Sequence, residues 1–292
     1  MIDKYSELYS KAEILRICSM SKQGFSKPIK LLHTNQLLEM QVCETVNTAR
    51  KVAKRIGARA IFYTYNVTFI GVNRFEKITA AYGLNVPRLK RKYIKTTNPL
   101  YEQEDCNLIN GIVLNRPRQV IVGDITYVIT TLNTFYVFTL KDAYSGLILA
   151  LHAADNMKAV EAIKALKQAF KEDLASNFIG TIHHTDAGTQ YKSNAYKAIL
   201  NRVQMKMSIA GNCLENGIAE QLNGLVKNDY LIIDDNTTLT ELKKQLKATK
   251  AFLNEVRKVK GLSNKTPRVF EHEQMQLQKH LRKLKTLYDF KK

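Results

Sequence analysis

Between Val120 and Ala153 three β-rich runs follow one another, and no other feature of the sequence restricts the fold so strongly. VIVGDITYVIT and TFYVFTLKDAY are separated by TLN, and LILALHA follows. β-Branched and aromatic side chains suit a pleated surface, and a gap this short suits a hairpin, so antiparallel strands are predicted. So apolar a region also raises a membrane span, but Asp124, Asn133 and several threonines interrupt it, and two strands fit better. Downstream, Val160, Ile163, Leu166 and Phe170 stand at helical spacing. GTIHHT reads as a short strand, SNAYKAILNR as a helix, VQMKMS as a short strand, and a long helix is predicted from about Gly217 to Tyr230. Antiparallel strands followed by strand–helix alternation predict an α/β fold, a mixed sheet flanked by helices.

Residues 1–87 read as mostly helical. A first pair of short amphipathic segments breaks at Ser19–Ser21. One helix is then predicted through ETVNTARKVAKRIGARAIFYTYN and another opening near Asn73 in GVNRFEKITAAYGL. That outline is a helix-turn-helix or an ordinary helical hairpin; in the first case Asn73, Arg74 and Lys77 would face DNA. Residues 88–119, with Pro87 before them and Pro99 and Pro117 inside, read as a linker whose Arg88, Lys90, Arg91 and Lys92 suit a phosphate backbone. The core is expected over 120–270 and a basic amphipathic helix over 271–292. There Leu277, Leu281, Leu284 and Tyr288 would form a seam for the core or for another subunit.

Charge divides the chain in the same way. The net formal charge of +19 is carried by the flanks: residues 1–119 hold +11, residues 120–235 hold −2 and residues 236–292 hold +10. Basic flanks around a slightly acidic middle suit a polyanion, because neutralised phosphates release counterions. Cys18, Cys43, Cys106 and Cys213 are scattered without a C-x-x-C pair, which argues against a zinc site or a disulfide framework and agrees with a reducing cytosol. The charged N-terminus does not read as a secretory signal.

Three acids raise the question of chemistry. Asp124 lies mid-strand in VGDITYV, Asp186 just past a strand in HTDAGTQY, and Glu220 on a helix. An ionised carboxylate in an apolar strand is costly unless paired or bound to metal. Magnesium takes hard oxygen ligands, and paired metal ions assist phosphoryl transfer. Asn216, Glu220, Asn223 and Lys227 fall on one polar helical stripe beside the apolar Ile218, Leu222 and Leu225. The plain alternatives are a solvated helix face, a turn-capping Asp186 and an Asp124 paired with a lysine.

GDITYV, HHTDAGTQY, GNCLENGIAEQLNGLVK and FLNEVR…GL…KTP resemble, in order, the signature blocks of IS-three insertion-sequence transposases of the OrfB type. The resemblance implies an RNase H-like, retroviral-integrase-like core with an Asp-Asp-Glu triad, which falls on Asp124, Asp186 and Glu220. It implies two Mg²⁺ (or Mn²⁺) ions per site and metal-dependent cleavage and strand transfer at terminal inverted repeats. It places His184 before the second aspartate as a possible supporting residue, and Asn216, Asn223 and Lys227 among helix positions that contact DNA. Double-stranded DNA, a homo-oligomer and an upstream OrfA-type product are the implied partners, in a bacterial cytoplasm near the nucleoid, with no membrane. The chain departs from the pattern in three places. Ile121–Gly123 stand where a tryptophan is usual, 33 residues separate Asp186 from Glu220, two fewer than usual, and Arg257-Lys258-Val259 replace Arg-Pro-His. The alternative is a catalytically decayed DNA-binding regulator.

Overall fold

The computed structural model describes residues 9–87, 106–173, 175–211 and 213–287. The chain divides into two compact units, Met1–Lys51 with Gly57–Val86, and Val52–Ile56 with Pro87–Lys292.

The first unit is helical. Its elements are α1 (Lys11–Ile17), α2 (Lys22–Val52), α3 (Ala58–Thr64) and α4 (Val72–Ala81). A reciprocal cap starts α1: Glu13 N donates to Ser10 Oγ, and Ser10 N donates to Glu13 Oε2 at 2.8 Å. The single helix expected through ETVNTARKVAKRIGARAIFYTYN is instead two. α2 ends at Val52, and Gly57, extended at φ −74° and ψ 153°, opens α3. Glycine is a poor helix interior and an acceptable N-cap, which puts the break there. Phe75 and Ile78 of α4 are buried, with the Phe62 and Phe75 rings 5.8 Å apart, while Asn73, Arg74 and Lys77 lie exposed on the other side of the helix. Arg74 also donates to Asn35 Oδ1 at 2.8 Å.

The second unit is built on a five-stranded mixed sheet of order β4-β3-β2-β5-β6. Its strands are β2 (Val120–Ile129), β3 (Thr134–Asp142), β4 (Ile148–Ala154), β5 (Ile182–Thr185) and β6 (Lys206–Ile209). β2, β3 and β4 form an antiparallel meander, and β5 and β6 add to β2 in parallel. This is the RNase H-like arrangement. Helices α5 (Ala159–Glu172), α6 (Thr189–Lys192) and α7 (Asn194–Arg202) cover one face, where Ile121, Phe138, Leu166, Tyr196 and Leu200 share a buried cluster. α8 (Gly217–Leu225) and α10 (Pro267–Gln276) cover the other, closing over Val120, Val122, Ala219 and Phe270.

α9 (Leu239–Ala251) closes the β4 edge. Lys250 Nζ donates to the Leu149 carbonyl at 2.8 Å, and Asn254, in the turn that follows, exchanges bonds of 2.8 and 2.9 Å with Ile148 N and O. Backbone groups of an edge strand are thereby paired instead of left open. α8 and α9 each run on into one π-helical turn, Val226–Tyr230 and Phe252–Val256.

Two sequence expectations are corrected. The basic helix expected over 271–292 is not formed in the described residues: α10 stops at Gln276, and Leu277 turns extended at ψ 146°. The chain then adds β7 (Lys285–Thr286), antiparallel to β1 (Val113–Leu114). The leucine seam therefore has no helix to organise it, and Leu281 and Leu284 are exposed. Likewise, the end of the expected linker is not a surface tether. It contains β1 and the fully buried Arg118. Arg88, Lys90, Arg91, Lys92 and Tyr288 lie outside the described residues.

Candidate active site

Strand register places the first two acids side by side. The last β2–β5 pair is Val122 with His184, and Asp124 and Asp186 each stand two residues beyond it. Asp124 is midway along β2 and Asp186 just past the carboxyl end of β5, so both stand at the level where the parallel pairing ends. Side chains alternate along a strand, so Asp124 shares the α8 face with Val120 and Val122. Gly123 points the other way. A Cβ there would meet Leu140 Cδ2 at 2.8 Å and His183 Cε1 at 3.1 Å. Gly123→Ala is expected to destabilise the chain by about 1–3 kcal/mol through overpacking, read as a lower urea midpoint with unchanged slope.

Helix α8 brings the third acid across. Asn216 Nδ2 donates to the Gly123 carbonyl at 3.1 Å, and Asn223 Nδ2 donates to Asp124 Oδ2 at 2.7 Å. Glu220 lies between these asparagines on the same helical face, four residues after one and three before the other. The side chain itself is exposed. Among the described residues no three acid, histidine or cysteine side chains stand close enough to hold a metal ion. The two aspartates face one region, and the Glu220 side chain stays apart from them.

The electrostatics suit such a ligand set. Among the described residues none of the three acids is in an ion pair, so the lysine partner considered for Asp124 is not there. Burial first, then the charges of Asp186 and Glu220, push the Asp124 carboxyl up to about 7. Burial also raises Asp186 and Glu220. Asp124 is the deeper of the two aspartates and takes the repulsion between them. Asp186 Oδ1 also accepts from Gly188 N at 3.2 Å, so the turn-capping reading holds alongside the clustering of acids.

A pH dependence follows. Between about pH 4 and about pH 7 the folded chain keeps a proton on Asp124 that the unfolded chain has released. The folded state binds more protons in that window, so stability falls as pH rises through it, by up to about 4 kcal/mol. Urea melts without divalent cation are expected to show this fall, and Asp124→Asn to remove it.

His183 and His184 stand behind the site. Both are fully buried, and burial lowers each to about 4, so they are neutral. His183 Nδ1 donates to the Ile121 carbonyl at 3.4 Å, and Nε2 accepts from Tyr196 Oη at 2.7 Å. His184 Nε2 donates to the Glu215 carbonyl at 3.2 Å, and Nδ1 accepts from Ser208 Oγ at 2.8 Å. Carbonyls only accept, which fixes the tautomers. Glu215 Oε2 takes bonds from Gly211 N at 2.7 Å and Asn107 Nδ2 at 2.6 Å. His184 and Glu215 thus fasten the shortened segment that leads into α8.

Asn216 and Asn223, expected among the DNA contacts, are turned inward. They are 3% and 6% exposed and spend their amides on the strand that carries Asp124. Asn216 Oδ1 is buried with no hydrogen-bond partner. Lys227 is exposed in the π-helical turn, and desolvation by its surroundings lowers its ammonium. The sequence reading missed Thr139, which is directly opposite Asp124 in the β2–β3 register and 1% exposed.

With this geometry the chain falls in a known class. The integrase core domain family matches residues 115–213, and a second integrase core domain family matches residues 201–267. The HTLV-2 integrase catalytic core domain, solved in complex with magnesium, superposes with a TM-score of 0.41 at 19% identity, over 54% of this chain and 98% of that one. The Insertion element IS600 uncharacterized 31 kDa protein of Shigella sonnei is 28% identical over 73% of this chain and 79% of its own length. The Transposase for insertion sequence element IS904 of Lactococcus lactis is 29% identical over 74% of this chain and 87% of its own. Identity rises to 36% with the Transposase for insertion sequence element IS629 of Shigella sonnei, but over only 48% of this chain and 47% of that one. This is an integrase-core protein. Its residues 115–267 match integrase cores, and the chain is similar to insertion-sequence transposases.

Proposed function

We propose that Asp124, Asp186 and Glu220 are the metal-holding triad of this transposase, and that it cleaves and joins DNA at the terminal inverted repeats of an insertion sequence. The observation that carries the reading is the unneutralised pair Asp124, midway along β2, and Asp186, just past the end of the neighbouring parallel β5, with Glu220 on the helix between two buried asparagines that bond the Asp124 strand. Partly buried aspartates without a cationic side chain are a poor structural choice and a good hard-oxygen ligand set. Divalent cations, Mg²⁺ or Mn²⁺ and two per site, would supply Lewis acidity for the attacking and leaving oxygens. The chain's own residues do the rest. Asp124 and Asp186 offer short, rigid carboxylates, Glu220 a longer arm, and Lys227 a charge one helical turn past Asn223 for a nearby phosphate. Asn73, Arg74 and Lys77 on α4 would meet the element ends, and the basic flanks the duplex backbone. Joining two ends calls for at least two protomers, with an OrfA-type product as a further partner. Among the described residues no helix is long and apolar enough to cross a membrane.

The test is incubation with Mg²⁺ and DNA carrying the ends of its own element. Strand-joined products are expected. Cleavage without joining would make the chain a nuclease, and binding with no product a DNA-binding regulator.

A further inference from the structure

Asp124 has one oxygen spoken for. Its Oδ2 accepts from Asn223 Nδ2 at 2.7 Å, and Asn223 Oδ1 in turn accepts from the Thr139 hydroxyl at 2.9 Å. The same hydroxyl lies 3.3 Å from the Asp124 carbonyl. Thr139 and Asn223 are almost completely buried, so solvent does not compete for these bonds. The relay also fixes the amide: a hydroxyl proton faces its oxygen, and an ionised carboxylate can only accept from its nitrogen.

We infer that Thr139 is a positioning residue, whose hydroxyl locks the Asn223 amide and thereby sets the orientation of the Asp124 carboxylate. The inference rests on the triad reading. β3 lies on one side of β2 and β5 on the other. Holding Oδ2 over the β3 side leaves Oδ1 as the oxygen available on the β5 side, where Asp186 emerges. Asn223 is also one helical turn from Glu220, so a single amide ties the carboxylate of β2 to the helix that carries the third acid. Without the hydroxyl, the Asn223 oxygen is buried and unsatisfied, and the side chain turns away to find a donor. Groups that orient a metal-binding carboxylate from behind typically matter about 10- to 100-fold for metal affinity.

The test is Mn²⁺ binding to the full chain, followed by calorimetric titration alongside thermal melting. Thr139→Val removes the hydroxyl with little change in shape, and Thr139→Ser keeps it. The valine variant is expected to bind Mn²⁺ about 10- to 100-fold more weakly, and the serine variant to stay within a few-fold of the parent. Wild-type affinity in the valine variant overturns the inference, and so does an equal loss in both, which would point to side-chain volume. If the valine variant fails to fold, Asn223→Leu interrupts the same relay from the helix, and unchanged Mn²⁺ affinity there overturns it equally. Asp124→Asn separates this inference from the one beneath it: undiminished Mn²⁺ binding by that variant would remove the triad reading itself.

Discussion

Asp124→Asn, Asp186→Asn and Glu220→Gln are each expected to abolish strand cleavage and joining while leaving DNA affinity intact. The loss should be on the order of 10³-fold or more, about 4 kcal/mol of transition-state stabilisation, because each change removes an oxygen ligand from the charge-stabilising centre. Affinity has a different source. It comes from lysines and arginines releasing counterions, and a chain of net charge +19 that gains one further unit by losing an acid has no electrostatic reason to release DNA. Gel assays of cleaved and joined products, with binding measured across a salt series, check both halves. A fully active variant would remove its residue from the triad. For Asp124→Asn there is a second signature. The neutral amide can still accept from Asn223, but it no longer carries a charge that burial and Asp186 oppose. That variant should be dead and, in the absence of divalent cation near neutral pH, more stable than its parent. A residue kept for packing would lose stability on substitution instead.

The strands and helices of the core were legible because their evidence is local. Two-residue alternation and helical spacing are written within each segment, and β2–β6, α5, α7 and α8 stand close to where the patterns put them. The helical breaks were harder, since one glycine, Gly57, decides between one helix and two. What the sequence could not show is which way a polar stripe faces. Asn216 and Asn223 lie on the face that periodicity identifies, but their partners are Gly123 and Asp124, some ninety residues away in the chain. A polar stripe reads as a surface until the sheet supplies a buried acceptor. The tail fails for the opposite reason. Leu277, Leu281 and Leu284 have helical spacing, but Lys283 N donates to Gln274 Oε1 and Lys285 pairs with Leu114, bonds that an extended chain makes and a helix does not.

Arg118 is the residue whose replacement should have the largest structural effect. It falls within the expected linker, 88–119, but in the fold it is 2% exposed. Its guanidinium makes a bidentate pair with Glu271 at 2.9 and 3.0 Å and lies 3.3 Å from Asp142 and 3.2 Å from Asp173. Its backbone N donates to Asp142 Oδ2 at 2.6 Å, and its carbonyl accepts from Thr181 Oγ1 at 2.5 Å. One side chain thus joins the start of β2, the end of β3, the C-terminus of α5 and α10. Burial alone would lower its guanidinium, but Asp142 and Glu271 outweigh that and raise it. Arg118→Met leaves three acids facing a partly apolar cavity, and Glu271 is already raised by burial and by Asp142. Breaking a buried charge cluster from one side costs about 3–5 kcal/mol, which for a unit of this size is a fall in melting temperature on the order of 10 °C. The deficit should shrink as pH falls, because the stranded Glu271, raised already by burial, then takes up a proton that the unfolded chain has not yet bound. Pairing Arg118→Met with Glu271→Gln should recover part of the loss, since the second change removes one of the acids the first has stranded. Urea melts of the single and double variants at pH 7 and pH 5 decide it: an Arg118→Met chain as stable as its parent at pH 7 would mean that water, not the arginine, compensates these acids.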